Sequence, residues 1–526
     1  MTKILTYTLL GVYIAIMICI GFYSYKKTKT VSDFVLGGRS VGPWLTAFAY
    51  GTSYFSAVVF IGYAGQFGWS YGISAFWIGI GNAVIGSALA WVVLGRRTRL
   101  MTHKLNAKTM PEFFEKRFNS KALKLASSLI IFIFLIPYTA SVYNGLSRLF
   151  DMALGIQSEN SYMIIIVLMA LITAVYVILG GYSATAINDF IQGIIMLAGI
   201  IAVIICTVNH QGGLTESIKK LGEIETDGGG FNKLFGPSPL NLIGVIILTS
   251  LGTWGLPQMI GKFYAIKDEG SNKIIRSGTI ISTIFALVVA GGSYFIGGFA
   301  RLFCTADPSD TSKNFIETLP NGKLDFDSMI PSLINTALPN ILIALVVVLV
   351  FSASMSTLSS LVLTSSSTLT IDFIKPKLKK EISEKKEVVI MRVLIAVFLI
   401  ISVIIAFNKN ASISTLMSYS WGALAGAFLG PFMFGLFYKK TTKLSVWVSF
   451  ATGIGLTVGH MILFGFGWFP ELAKHAASLP LNLASPINAG AIVMILSIII
   501  VPVVSAFSHK PDETTVNEFF ECYNEK

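Results

Sequence analysis

The sequence predicts an all-α protein built into a membrane, and three observations predict it. Charged residues fill only 13% of the 526 positions, against the roughly 25% usual for a soluble domain. Apolar residues fill 54%. They gather into thirteen stretches near the ~20 residues that a helix needs to cross a bilayer, at about 4–25, 43–66, 73–94, 121–148, 161–180, 184–207, 240–263, 275–303, 333–368, 388–407, 411–437, 443–465 and 487–508. These stretches are continuously apolar, whereas barrel strands alternate. They leave no room for a separate soluble domain, so 1–508 reads as one transmembrane unit and 509–526 as a tail. The first stretch is too long for a cleaved signal peptide and lacks a small-residue cleavage site.

The net charge of +12 sorts by loop. Of the 39 lysines and arginines, 29 fall in alternate connections: 26–39, 96–124, 262–276, 375–392, 439–443 and the tail. The positive-inside rule puts those loops in the cytoplasm of a plasma-membrane protein, with the N-terminus outside and the C-terminus inside. The basic charge is therefore topogenic and argues against nucleic acid as a partner; the bilayer is the partner it implies. The four cysteines show no CxxC spacing and the five histidines no HExxH pair. No catalytic constellation appears, so the chain does not read as an enzyme.

Two stretches are interrupted in matching ways. The second carries Gly51-Thr52-Ser53 at mid-membrane, and the seventh carries Gly252-Thr253 followed by Gly255-Leu256-Pro257. Glycine costs a helix about 1 kcal/mol relative to alanine and proline about 3. Paired breaks in corresponding positions of two halves point to a transport site lined by freed carbonyls. The five-stretch offset between them fits an inverted repeat of five plus five, 43–207 and 240–437. Helix 4–25 precedes it and two helices in 443–508 follow.

Asp189 lies within the sixth stretch, in "SATAINDFIQGIIMLAG". A carboxylate in a membrane helix costs at least about 2.5 kcal/mol and needs a partner. No lysine or arginine stands at helical spacing from it, which leaves a cation or hydroxyls of another helix. The ninth stretch supplies hydroxyls: in "VFSASMSTLSSLVLTSSSTLT", 12 of 21 residues are serine or threonine. Ala353, Ser356, Thr357 and Ser360 share a helical face, with Ser359 at its edge. Neutral oxygens suit an alkali cation. Serines and threonines also bond back to their own helix, which is the reading for Thr364 to Thr370.

Four motifs carry a family resemblance: "DFVLGGRSVGPWLTAFAYGTSYFSA", "GGYSATAINDFIQ", "GLPQMIGKFYAIKD" and "SASMSTLSS". The chain resembles the sodium/solute symporter family of bacterial sodium/proline, sodium/sialic acid and sodium/galactose carriers, from its first stretch to about its twelfth. The resemblance implies a LeuT-type inverted-repeat core within about thirteen helices. It implies a first sodium held by the carbonyls of Thr52, Phe55 and Ala353 and the hydroxyls of Ser356 and Thr357. A second sodium, present in some members, would take Asp189, Ser356, Ser359 and Ser360. Ser56 and Tyr138 match positions near proline in the proline carriers. Two departures speak against proline itself: Thr249 and Thr253 align with those carriers' aromatic residues, and Tyr54 aligns with an aspartate. Gln66, Thr253 and Trp254 are further candidates for the solute site.

The expected function is sodium-coupled import of a small organic solute by alternating access, with Na+ as co-transported ion and one chain as the working unit. The solute would be an amino acid such as proline, a monocarboxylate or similar. A proton-coupled carrier using Asp189 is the alternative. A channel is less favoured, since no filter sequence or charged ring appears.

Overall fold

In the computed structural model, residues 2–26, 28–154, 159–267, 271–319, 322, 324–378, 382–407 and 412–524 are described. Lys27, Lys379 and Lys380 of the basic loops and the last two residues of the tail lie outside them. Ten helical runs among the described residues are long and apolar enough to cross a bilayer, or eleven when the bent pair Pro239–Gly255 and Pro257–Tyr264 is counted. Two of these runs, Val58–Lys104 and Tyr162–His210, hold 47 and 49 residues. Straight, each would measure roughly 70 Å, more than twice the ~30 Å hydrocarbon core. Both turn at a glycine in the left-handed region, Gly72 (φ 59°) and Gly181 (φ 53°). A Cβ at Gly181 would stand 2.7 Å from the Phe34 carbonyl oxygen, so the turn requires glycine.

Burial separates centre from rim. The most apolar windows of Asn340–Lys377 and Ile413–Phe437 are 83% buried inside the protein, against 28% for Ile4–Tyr25 and for Lys443–Gly465. The hydroxyl-rich helix Asn340–Thr368 is therefore central, which explains why it has no polar stripe: every face meets another helix.

The first break falls slightly later than its glycines suggested, and the second falls within the expected Gly255-Leu256-Pro257. In the first broken span, helix Pro43–Tyr54 continues through Gly51, Thr52 and Ser53 and stops at Phe55, which is extended (φ −94°, ψ 128°). In the second, helix Pro239–Gly255 stops at Leu256 (φ −80°, ψ 122°) and the chain resumes at Pro257, bent by 44°. Proline pushes the preceding residue out of the helical region, so Pro257 sets that break. The glycines serve packing instead. A Cβ at Gly51 would stand 2.6 Å from the Phe285 ring, and one at Gly252 2.5 Å from Trp421.

The basic loops meet at one end. Arg39 donates to the Ala107 carbonyl at 2.7 Å, Lys124 pairs with Glu115 at 2.8 Å, and Arg117 donates to the Gly435 carbonyl at 2.9 Å. Lys439 reaches Asn517 of the tail at 2.8 Å. A parallel backbone bridge joins Val41, before the first broken span, to Ile266, after the second. At the opposite end, the connection between the eighth and ninth stretches packs inward through Met329–Ala337, and its Asp325 is ion-paired with Arg148. One sequence assignment is corrected here. Lys262, counted with the basic loop 262–276, lies inside helix Pro257–Tyr264 and is only 3% exposed.

Candidate functional site

Where helix Pro43–Tyr54 ends, its last carbonyls lose their partners because the chain does not continue as a helix. The hydroxyl of Thr357, on the central helix, faces that end. It lies 3.1 Å from the Phe55 carbonyl oxygen, 3.5 Å from that of Thr52 and 3.3 Å from that of Ala353. A hydroxyl carries one proton and can satisfy one such acceptor at a time. Three carbonyl oxygens therefore converge with more lone pairs than donors, all at fully buried residues or nearly so. An unhydrated alkali cation satisfies such a set. The Ser356 hydroxyl completes it, 2.9 Å from the Thr52 hydroxyl.

Ser356 also donates to Asp189 at 2.6 Å. Asp189 is 0% exposed and reaches this point from helix Glu159–His210. Its second oxygen stands 3.6 Å from the ammonium of Lys262, an ion pair longer than a hydrogen bond. Lys262 donates to Ser360 at 3.0 Å, and Ser360 lies 2.8 Å from Ser53. Thus the carboxylate has its basic partner on another helix. The Ser359 hydroxyl donates to the Ser356 carbonyl of its own helix at 2.8 Å.

A broken helix, a central hydroxyl helix and a buried carboxylate share one polar centre, and residues 34–453 match the model of the sodium:solute symporter family. The chain belongs to the sodium:solute symporter family. Its activity is accordingly the coupled movement of sodium and a solute across a membrane. The sodium/proline symporter of Staphylococcus aureus (strain JH9) is 31% identical over 541 residues, covering 99% of this chain and 97% of the relative. That of strain N315 matches equally. Among solved structures, a substrate-bound, outward-open Na+-coupled sialic acid symporter aligns with a TM-score of 0.72 at 19% identity, over 97% of this chain and 98% of that one. Mhp1, a nucleobase-cation-symport-1 family transporter in a closed conformation, aligns with a TM-score of 0.52 at 15% identity, over 93% and 98%.

The solute candidates separate in this symporter. Tyr138 is fully buried, its ring 5.9 Å from that of Trp421, and Trp421 lies 5.9 Å from Tyr54. The Tyr138 hydroxyl and the Trp421 indole N–H meet each other, and neither has a further hydrogen-bond partner among the described residues. The other four candidates are engaged elsewhere. Ser56 accepts from the Val58 amide at 3.1 Å, at the start of the helix beyond the break. Thr253 donates to the Gly86 carbonyl at 2.9 Å, and Trp254 to that of Ile85 at 2.9 Å, so both fasten the neighbouring span. Gln66 accepts from Ser414 and lines a separate polar cavity with Ser70, Asn241 and Asn488.

Sequence reasoning missed Lys262, Ser53 and Trp421. Lys262 carried a signal: it follows the helix-breaking Pro257 by five residues, with Met259, Ile260 and Phe263 around it. Trp421 was readable as the lone indole of its stretch.

Proposed function

We propose that this symporter binds its first sodium between the carbonyls of Thr52, Phe55 and Ala353 and the hydroxyls of Ser356 and Thr357. It then carries that ion inward with a small carboxylate-bearing solute, an amino acid or monocarboxylate. The observation that carries the reading is the convergence of three carbonyls on the single hydroxyl of Thr357. Sodium entering there bridges the first broken span to the central helix and so favours one arrangement of the core. The solute binds to the same arrangement, and each ligand then raises the affinity for the other. One charge crossing about 100 mV supplies ~2.3 kcal/mol, nearly fiftyfold accumulation at roughly 1.4 kcal/mol per tenfold.

For the solute, Tyr54, Tyr138 and Trp421 form an aromatic wall beside the break, with two donors, the Tyr138 hydroxyl and the Trp421 indole N–H, that meet only each other. Those donors suit a carboxylate and the rings its apolar part. The relatives named for proline favour the amino-acid class. Trp421, packed on Gly252, supplies from the eleventh stretch an aromatic surface beside the two threonines of the seventh. In this reading the basic end is cytoplasmic, the N-terminus is outside, and each chain holds a complete site and works alone.

Reconstituted vesicles test it. Uptake of labelled L-proline, pyruvate and pantothenate should require an inward sodium gradient for at least one of the three. Uptake driven equally by a proton gradient without sodium would replace sodium coupling with proton coupling.

A further inference from the structure

We infer that the ammonium of Lys262 serves as the second cation of this symporter, standing where a second sodium would otherwise bind, so that one sodium accompanies each cycle. The inference rests on the first-site reading above and deepens it.

The residues that would hold a second ion are Asp189, Ser356, Ser359 and Ser360. Asp189 and Ser360 are the two groups that Lys262 meets, at 3.6 and 3.0 Å. The ring of Tyr182 flanks the ammonium, with its centroid 5.2 Å away. A carboxylate, a hydroxyl and an aromatic face are each favourable partners of an ammonium. The carboxylate's charge is thus already balanced. A sodium added at Asp189 would set two cations against one carboxylate where the surroundings are dry, and their repulsion there is far stronger than in water.

Tethering changes what this charge can do. Lys262 rides on the inner half of the second broken span, Asp189 on helix Glu159–His210, Ser360 on the central helix and Ser53 on the inner half of the first broken span. One ammonium therefore links elements of both repeats, as a bound ion would, but it is not released and draws nothing from the sodium gradient. It has somewhere to go when the half-helix tilts. Lys262 and Ser360 line a vestibule with Leu36, Lys108, Tyr182 and Gln258, on the basic side of the site.

Equilibrium binding of radioactive sodium to the purified full-length chain, without solute, tests the inference. Wild type should saturate at one sodium per chain along a hyperbolic curve. Lys262→Ala should bind two, and Lys262→Ala with Asp189→Asn should return to one. Two sodium ions on wild type, or one on a folded Lys262→Ala, would overturn the inference while leaving symport intact. No saturable sodium on wild type would instead overturn the first-site reading. If Lys262→Ala does not fold, the wild-type count alone still decides between one ion and two.

Discussion

The hydroxyl of Thr357 stands 3.1 Å from the carbonyl oxygen of Phe55, across the gap where the first broken span stops being a helix. The two residues are 302 positions apart and belong to opposite halves of the internal repeat. A cation placed between them would therefore act on the arrangement of the halves.

Removing that hydroxyl should weaken sodium binding selectively. Thr357→Ala should raise the sodium concentration for half-maximal uptake by about tenfold, equivalent to ~1.4 kcal/mol, while Thr357→Ser stays near wild type. An unchanged sodium dependence in Thr357→Ala, read from transport at a fixed solute concentration, would remove Thr357 from the site.

The Asp189–Lys262 pair should behave as a coupled unit in unfolding. Breaking a buried pair on one side costs about 3–5 kcal/mol because the other charge is stranded. Asp189→Asn should therefore lower the melting temperature markedly, and adding Lys262→Gln should recover part of the loss. Strictly additive losses would mean that the two charges do not interact.

Solute binding should depend on Trp421 and sodium binding should not. Trp421→Ala is expected to raise the half-saturating solute concentration at least tenfold, with solute-free sodium binding retained. Gly252→Ala should reproduce part of this effect, because its new Cβ presses on the indole from 2.5 Å.

The loop around Asp327 should make the protein less stable as pH rises through mildly acidic values. Asp327 sits in the connection between the eighth and ninth stretches. Burial, and then the neighbouring charge of Asp325, push its carboxyl up to about 6, against the opposing pull of Arg148. Asp325 is shifted upward too, chiefly by burial. A carboxyl with a folded pKa above its unfolded one holds more protons in the folded state between about pH 4 and 6. Stability is therefore highest at the low end of that window and falls through it, by at most about 3 kcal/mol for a shift of roughly two units. Melting curves recorded from pH 4 to 7 should show this fall in wild type and a flatter profile in Asp327→Asn.

Much of this was legible in the sequence because membrane burial imposes strong patterns. Apolar length gives the helices, and the Pro257 signature gives the second break. The helical spacing from Ala353 to Thr357 places the proposed ligands on one face. The first break was harder to locate, since Gly51 is a packing residue and Phe55, where the helix ends, has no helix-breaking character of its own. Lys262 escaped because it stands on a different helix from Asp189, and pairing between helices leaves no spacing to read. The same limit applies to Thr253 and Trp254: their types suited a binding site, but only the fold aims them at the carbonyls of Ile85 and Gly86.

The bridge between Val41 and Ile266 is made of backbone alone, with the Val41 amide donating to the Ala265 carbonyl at 3.3 Å and the Lys267 amide to the Val41 carbonyl at 3.5 Å. Drift in side chains leaves such a seam intact. At exposed Lys267 a mutational scan would record a permissive position for nearly every residue. Proline is the exception, since it has no amide hydrogen to give. A contact that ties the ends of both broken spans on the side of the basic loops would thus pass through such a survey almost unmarked, revealed by a single intolerant substitution.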